Sequence, residues 1–437
     1  MFNYLSSKAK RRVVSVLAAS ALLAPVALST PGFDAQAAQV KEVEVSYNVS
    51  DIAFSLGANE TERTFNWYTE KTDEAGVVQF AKANNGYGQK FPNGKTVTVD
   101  ATLEDATSGE SSHEATISNL KKNTTYNYRF GDGEGNWSET YTFTVRGDDE
   151  FNFLFFGDAQ LGSKGNGDLA GDQAAWNHTL DLALDTFPKT DFLVSAGDQV
   201  NKKDSEEEYD AYFSPVELKE YAITTTVGNH DNSPTYSSHF NVPNESELGA
   251  INGNGDYYYT YNDALFMVIN SNNRDHEGHQ QFIEETVAAN PDVNWKFVVM
   301  HHSIYSENSH KYDGDVLERR EELVPVFDEN DIDVVFMGHD HGYVRTHQME
   351  ANQPLLEQNF VDENTVVDPT GVLYLTANSS SGSKYYNKKD DAAFYTAVRS
   401  QNYNPSYSNV EVSDNAFKIT TYDVVTGEII DEYKIVK

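Results

Sequence analysis

The sequence predicts an all-β sandwich followed by an α/β domain, and three observations support that reading. With 437 residues the chain is longer than one ordinary hydrophobic core, so two domains are expected. Residues 39–148 carry short apolar–polar alternations separated by Gly-, Asn- and Asp-rich turns, the pattern of half-buried strands. Over residues 151–437 compact apolar runs alternate with segments of helical spacing, the texture of an α/β domain.

The N-terminus reads as a signal peptide over residues 1–37. Lys8, Lys10, Arg11 and Arg12 precede an apolar run at 13–28, and Ala35-Gln36-Ala37 offers a small-x-small cleavage pattern. The alternative is a short membrane anchor, against which the run is shorter and softer than the ~20 apolar residues of a spanning helix. No later stretch suits a span, so the expectation is a secreted or cell-surface protein with no stable membrane span after cleavage. The chain has no cysteine, which removes thiolate ligands and nucleophiles and points to a bacterial exported protein held by packing. A net charge of −36, from 32 basic and 68 acidic residues, argues against nucleic-acid binding by a basic surface. A phosphate pocket in such a chain needs local positive charge, which bound metal ions supply.

Within the first domain, alternation marks strands at 40–47, 64–68, 96–99 and 125–130, with a last strand at 137–145 and Gly147-Asp148-Asp149 as a connector. The stretch from His113 to Leu120, followed by Asn123-Thr124-Thr125-Tyr126-Asn127-Tyr128-Arg129, resembles the penultimate strands of a fibronectin type III domain. In the second domain, buried strands are expected at 151–156, 191–195, 222–227, 264–269, 296–300 and 334–337, with helices at 174–187, 280–289 and 316–327. Strand-like runs at 371–377, 410–412, 417–424 and 429–436 close the chain, with Thr426-Gly427 as a hairpin turn. Residues 379–383 read as a short flexible loop with no further role.

Five motifs sit at the ends of the expected strands. They are Gly157-Asp158-Ala159-Gln160, Gly197-Asp198-Gln199-Val200-Asn201, Gly228-Asn229-His230-Asp231, His301-His302 and Gly338-His339-Asp340-His341. Ligand sites in α/β sheets form beyond the carboxyl ends of strands, and the glycines are expected to let the backbone turn just before each ligand. Singly, a Gly-Asp is a common turn and a His-His pair is more often structural. Gly-His-x-His is sharper, because two imidazoles two apart on an extended segment point the same way.

Together the motifs resemble the calcineurin-like metallophosphoesterases, and the whole chain resembles their purple acid phosphatase branch, in which a fibronectin-like domain precedes the catalytic one. The segment Gly338-His339-Asp340-His341-Gly342-Tyr343-Val344-Arg345-Thr346 is similar to that branch's Gly-His-x-His-x-Tyr-Glu-Arg. The resemblance implies a double β-sheet sandwich flanked by helices, with the C-terminal strands in the second sheet. It also implies that Asp198 bridges two metals, that Asp158 and His341 serve the first, and that Asn229, His301 and His339 serve the second.

This chain departs from the family pattern at two positions. Many members carry Asp-x-His at the first motif, where this chain has Gln160; purple acid phosphatases place a tyrosine three residues after the bridging Asp, where this chain has Asn201. Either an amide oxygen of Gln160 or Asn201, or water, completes the first metal, or neither amide binds and that metal is weak. Without the tyrosinate, Fe(III) and a purple colour are disfavoured, and divalent Fe, Mn and Zn stay open.

The implied chemistry is hydrolysis of a small phosphorylated substrate, a phosphate monoester. Two divalent ions outweigh the carboxylates of Asp158 and Asp198 and favour a bridging hydroxide that attacks phosphorus in line with the leaving alcohol. His230 is the first candidate general acid, with Asp231 orienting its ring. His310 is the second, in a His310-Lys311-Tyr312-Asp313-Gly314 segment similar to the His-x-x-Glu-Gly of plant purple acid phosphatases. His302 either touches phosphate or stands behind the ligands, while His113, His178, His239, His276, His279 and His347 are read as ordinary surface or buried residues. The rival readings are a phosphodiesterase or nucleotidase of the same fold, and a degenerate non-catalytic surface-binding protein.

Overall fold

The computed structural model describes residues 45–83, 91–92, 94–147, 149–165 and 167–437. The signal peptide expected at 1–37 and the start of the strand expected at 40–47 lie outside them, and residues 45–47 are not in a strand. The first strand is instead Ser50–Leu56.

The N-terminal strands make two antiparallel four-stranded sheets. One runs in the order Ser50–Leu56, Arg63–Thr69, Ser111–Ile117, Thr102–Asp105; the other runs Val97–Asp100, Val77–Lys82, Thr124–Gly131, Tyr141–Val145. Side chains one face apart alternate along each strand, so Phe54, Phe65, Trp67, Val78, Tyr128, Phe130 and Phe143 meet in one core. The sandwich is docked on the second domain through buried polar contacts as well as packing. Ser55 Oγ donates to the Ile223 carbonyl and Tyr128 OH to the Lys219 carbonyl, each at 2.7 Å.

The second domain is built on two seven-stranded sheets. The first has the order Ile223–Thr225, Phe192–Ser195, Phe151–Phe156, Ser406–Ser413, Ala416–Asp423, Ile429–Val436, Thr365–Val367. The second has the order Tyr257–Tyr261, Ala264–Ile269, Trp295–Met300, Val334–Met337, Leu373–Thr376, Tyr343–Thr346, Thr396–Ser400. Phe153, Phe155, Phe192 and Val194 of the first sheet share a core with Phe266, Phe297, Val299 and Phe336 of the second. The alternate residues Leu154, Phe156 and Leu193 face Trp176 and Leu180 of the helix Leu169–Thr186. Leu265, Met267, Val298 and Met300 face the helices His276–Ala289 and Gly314–Glu329 on the other side. Phe153 lies within 5.2–5.7 Å, ring to ring, of Phe192, Phe266 and Phe336, so truncation to Ala is expected to cost about 3–5 kcal/mol.

The C-terminal strands correct one expectation. Leu373–Thr376 joins the second sheet, but Ser406–Ser413, Ala416–Asp423 and Ile429–Val436 extend the first. Ser406–Ser413 pairs antiparallel with Phe151–Phe156, the strand that ends at the Asp158 loop. No helix among the described residues is long and apolar enough to cross a membrane.

Candidate metal centre

Three parallel neighbours of the first sheet carry Asp158, Asp198 and Asn229 just past their carboxyl ends. Trp295–Met300 and Val334–Met337, parallel neighbours in the second sheet, carry His301, His339 and His341 in the same way. The ligand atoms of Asp198, His301 and His339 lie within 4.8 Å of one another, and so do those of Asp158, Asp198 and His341. Asp198 belongs to both groups. Asn229 joins the first group through its Oδ1, 3.0 Å from His301 Nε2.

The glycines before the ligands serve clearance more than turning. Gly197 does adopt φ +99°, but Gly157, Gly228 and Gly338 have no left-handed φ. A Cβ on Gly338 would lie 2.7 Å from Asp158 Oδ2, and one on Gly228 would collide with the Asp198 backbone and carboxylate. The left-handed backbone falls on the ligands themselves: Asp198 at φ 50°, His339 at 70°, His341 at 46° and Gln160 at 36°. Such strain in non-glycine residues persists only where the surroundings hold it.

Hydrogen bonds select the imidazole nitrogens that face inward. His301 Nδ1 donates to the Ala196 carbonyl at 2.9 Å, turning Nε2 inward, 3.4 Å from Asp198 Oδ1 and 3.2 Å from His339 Nδ1. His341 Nδ1 donates to the Lys384 carbonyl at 2.8 Å, leaving Nε2 3.6 Å from Asp158 Oδ1. A metal-ligating His is set by its other nitrogen in this manner. Burial lowers His341 to about 3, and burial among other imidazoles pushes His339 well below its ordinary value, so both are neutral imidazoles. His301 rises to about 9: burial opposes protonation, but Asp198 and then Asp158 override it. Burial lifts Asp158 to about 7, while Asp198, despite burial, falls to about 2 beside His301 and His230. The cluster thus gathers two carboxylates and two neutral imidazoles around the His301 ring, a donor set in which a cation can take the place of that ring's inner proton.

Gln160 and Asn201 stand together. Gln160 Nε2 reaches Asn201 Oδ1 at 3.5 Å, and Gln160 Oε1 is buried with no hydrogen-bond partner among the described residues. An orphaned amide oxygen is costly unless something takes its lone pairs, so the residues here fit a second hard cation. The Gln160 backbone N–H donates to the Asp198 carbonyl at 2.7 Å, locking the first two motifs together.

Around the cluster, His230 Nδ1 donates to the Asn201 carbonyl at 2.6 Å, and its backbone N–H to Asp198 Oδ1 at 2.8 Å. The expectation that Asp231 orients this ring is corrected. Asp231 is buried, and its carboxylate accepts from the backbone N–H of Gly228, Gln199 and Val200, so it clamps two ligand loops instead. The imidazole–carboxylate pair lies elsewhere: His310 Nδ1 faces Asp313 Oδ2 at 2.7 Å, and the His310 ring lies 4.1 Å from that of His339. His302 Nδ1 meets Ser271 Oγ at 2.9 Å, its ring 4.6 Å from His339, and burial pushes it well below its ordinary value.

Three features were missed in the sequence. Residues 379–383 are largely buried rather than a free loop. Ser379 Oγ donates to the Asp158 carbonyl at 2.9 Å, Ser380 Oγ to the Gly157 carbonyl at 2.6 Å, and Ser383 Oγ to the Ala159 carbonyl at 3.1 Å. Asp340, between the two histidines of its motif, accepts from the N–H groups of Asn308 and His310 at 2.7 and 3.1 Å, placing His310. Tyr386 stands edge-on to both His310 and His341, at 5.0 and 5.1 Å.

Comparison with known proteins agrees with this geometry. Residues 151–343 match the calcineurin-like phosphoesterase family, and residues 49–145 match the purple acid phosphatase N-terminal domain. In both regions the chain is thus similar to the calcineurin-like phosphoesterases and to their purple acid phosphatase branch. Purple acid phosphatase 17 of Arabidopsis thaliana is 39% identical over 63 residues, 14% of this chain and 17% of that one. Purple acid phosphatase 3 of the same plant is 22% identical over 147 residues, 32% of each chain. These matches thus span about a third or less of the curated relatives' length. Purple acid phosphatase PPD1 from yellow lupin (Lupinus luteus) seeds has the same fold, with a TM-score of 0.71 at 15% identity over 89% of this chain and 74% of that one.

Proposed function

We propose that the protein is an exported hydrolase of phosphate monoesters that works with two divalent metal ions. The observation that carries this is the paired ligand set sharing Asp198: His301, His339 and Asn229 on one side, Asp158 and His341 on the other, with the Gln160 amide oxygen unpartnered beside them. Divalent ions bound there supply positive charge for phosphate oxygens and make water more acidic.

The chain's own groups handle the rest. His230, hung on the Asn201 carbonyl by Nδ1, presents Nε2 to the leaving oxygen and delivers its proton. His302 is kept neutral by burial, so its nitrogen opposite Ser271 offers phosphate a hydrogen bond or none, but no charge. His310, fixed in rotation by Asp313, is the competing proton donor.

Leaving-group dependence tests the assignment. His230→Ala is expected to slow alkyl phosphates by about 10²–10⁴-fold and aryl phosphates with acidic phenols much less, at unchanged metal content. If His310→Ala shows the graded loss and His230→Ala slows all esters equally, the proton comes from His310. A panel of mono- and diesters with metal-reconstituted protein tests the ester class, and faster turnover of diesters overturns it.

A further inference from the structure

Beside the ligand cluster lies an open cavity of about 440 Å³, lined by residues 201–205 together with Asn229 and His230. One wall is therefore the candidate metal ligand and the candidate proton donor. The other is the loop that continues from Asp198, and its backbone is fixed. The Glu208 carboxylate accepts from the N–H groups of Asn201 and Lys202 at 2.9 and 2.6 Å, and Ser233 Oγ donates to the Lys203 carbonyl at 3.0 Å.

Two lysine side chains project from this clamped loop, in a chain with 68 acidic and only 32 basic residues. The carboxylates near them have other partners. Glu208 is held by the two amides, Glu206 faces His239 Nε2 at 2.8 Å, and Asp204 accepts from the Thr235 hydroxyl at 3.3 Å. The Lys202 side chain is 75% exposed, and its ammonium approaches Glu208 only to 3.8 Å. Lys203 is exposed and forms no ion pair among the described residues. The wall facing His230, where the alcohol part of an ester would leave, thus carries two ammonium groups against the single carboxylate of Asp204.

We propose that Lys202 and Lys203 form a subsite for a second phosphate group carried by the leaving alcohol, so that the preferred substrates are phosphate esters of alcohols that are themselves phosphorylated. This rests on the phosphoesterase reading above, with His230 on the leaving side. Ammonium groups on flexible stems bind phosphate as point charges, and their exposure makes the gain modest and sensitive to salt.

The test compares two esters of one chain length, butyl phosphate and 4-phosphonobutyl phosphate, whose terminal phosphonate is not hydrolysed. Metal-reconstituted full-length protein is expected to favour the phosphonate-bearing ester in kcat/KM by about 3–10-fold at low salt. Raising salt to about 0.5 M should bring the ratio near one. The double variant K202Q/K203Q should collapse the ratio at low salt, and K202R/K203R should keep it. Calorimetric binding of butane-1,4-bisphosphonate against butylphosphonate repeats the comparison without turnover. A ratio near one in the native protein, or a ratio that the glutamine variant leaves untouched, overturns the subsite. If neither ester nor p-nitrophenyl phosphate is turned over by protein holding two metals, the phosphoesterase reading fails, and the bisphosphonate binding still decides on the anion site.

Discussion

The two halves of the ligand cluster share Asp198 but are held in different ways. The half with His301, His339 and Asn229 gathers its donor atoms within 3.0–3.4 Å of His301 Nε2, around one tautomer fixed by Ala196. The half with Asp158 and His341 is more open, at 3.6 Å between its two partners, and the unpartnered Gln160 amide oxygen follows Asp158 by two residues on the same loop. What it lacks in ligands it has in support: three serine hydroxyls hold the carbonyls of residues 157–159. One centre is defined by its donors and the other by its scaffold, so the two should respond differently to the same kind of damage.

The largest effect is expected where the halves meet. Asp198→Asn should take bound metal from about two ions per chain to below one and cut turnover by at least ~10³-fold, measured by elemental analysis and kcat/KM. A variant retaining both ions would break the idea of a shared ligand. Next, Ser379→Ala with Ser380→Ala should weaken one metal by about 10–100-fold in chelator competition and leave the other within a few fold. Equal weakening of both would erase the distinction between donors and scaffold. Replacing the amides should sharpen it. Gln160→His is expected to strengthen the weaker metal by about 10-fold, a gain of the size that one surrounding group contributes. Asn201→Tyr should add a tyrosinate-to-iron absorption band that the native protein lacks. The smallest effect belongs to the loop clamp: Asp231→Asn should lower stability by about 1–3 kcal/mol in denaturant unfolding, since one acceptor for buried N–H groups is lost. The ratio of alkyl to aryl phosphate turnover should not move, because Asp231 does not touch His230.

Much of this centre was legible from strand ends. Compact apolar runs such as Phe151–Phe156 and Trp295–Met300 locate the sheet, and the polar residues just beyond them are where ligands converge. The meaning of the glycines was only half legible. Close approach of one loop to another, as at Gly228 and Gly338, is a property of packing that a single chain segment does not encode. Asp231 shows the opposite error: adjacency to His230 in sequence suggested contact, whereas consecutive residues at a turn point apart. The serines were hidden because each hydroxyl serves a carbonyl more than 200 positions away. Local composition makes such a run look like a linker, and nothing in it reports a distant acceptor. The strand Tyr257–Tyr261 went unmarked between the expected runs although Tyr257, Tyr259 and Tyr261 alternate inward.

The serine hold on the Asp158 loop also sets an order of events during synthesis. The loop and its hydroxyl donors are 221 to 224 residues apart, so they cannot meet until the polypeptide has grown past residue 383. At a translation speed of about 10 residues per second, the first aspartate waits on the order of 20 s for its support. A ribosome-bound fragment could already own Asp158, Asp198, Asn229 and His301 and still lack a durable grip on metal. On the two-metal reading, ion capture is thereby tied to a chain grown past the serines, and a product cut short before them would keep the side chains but not the centre.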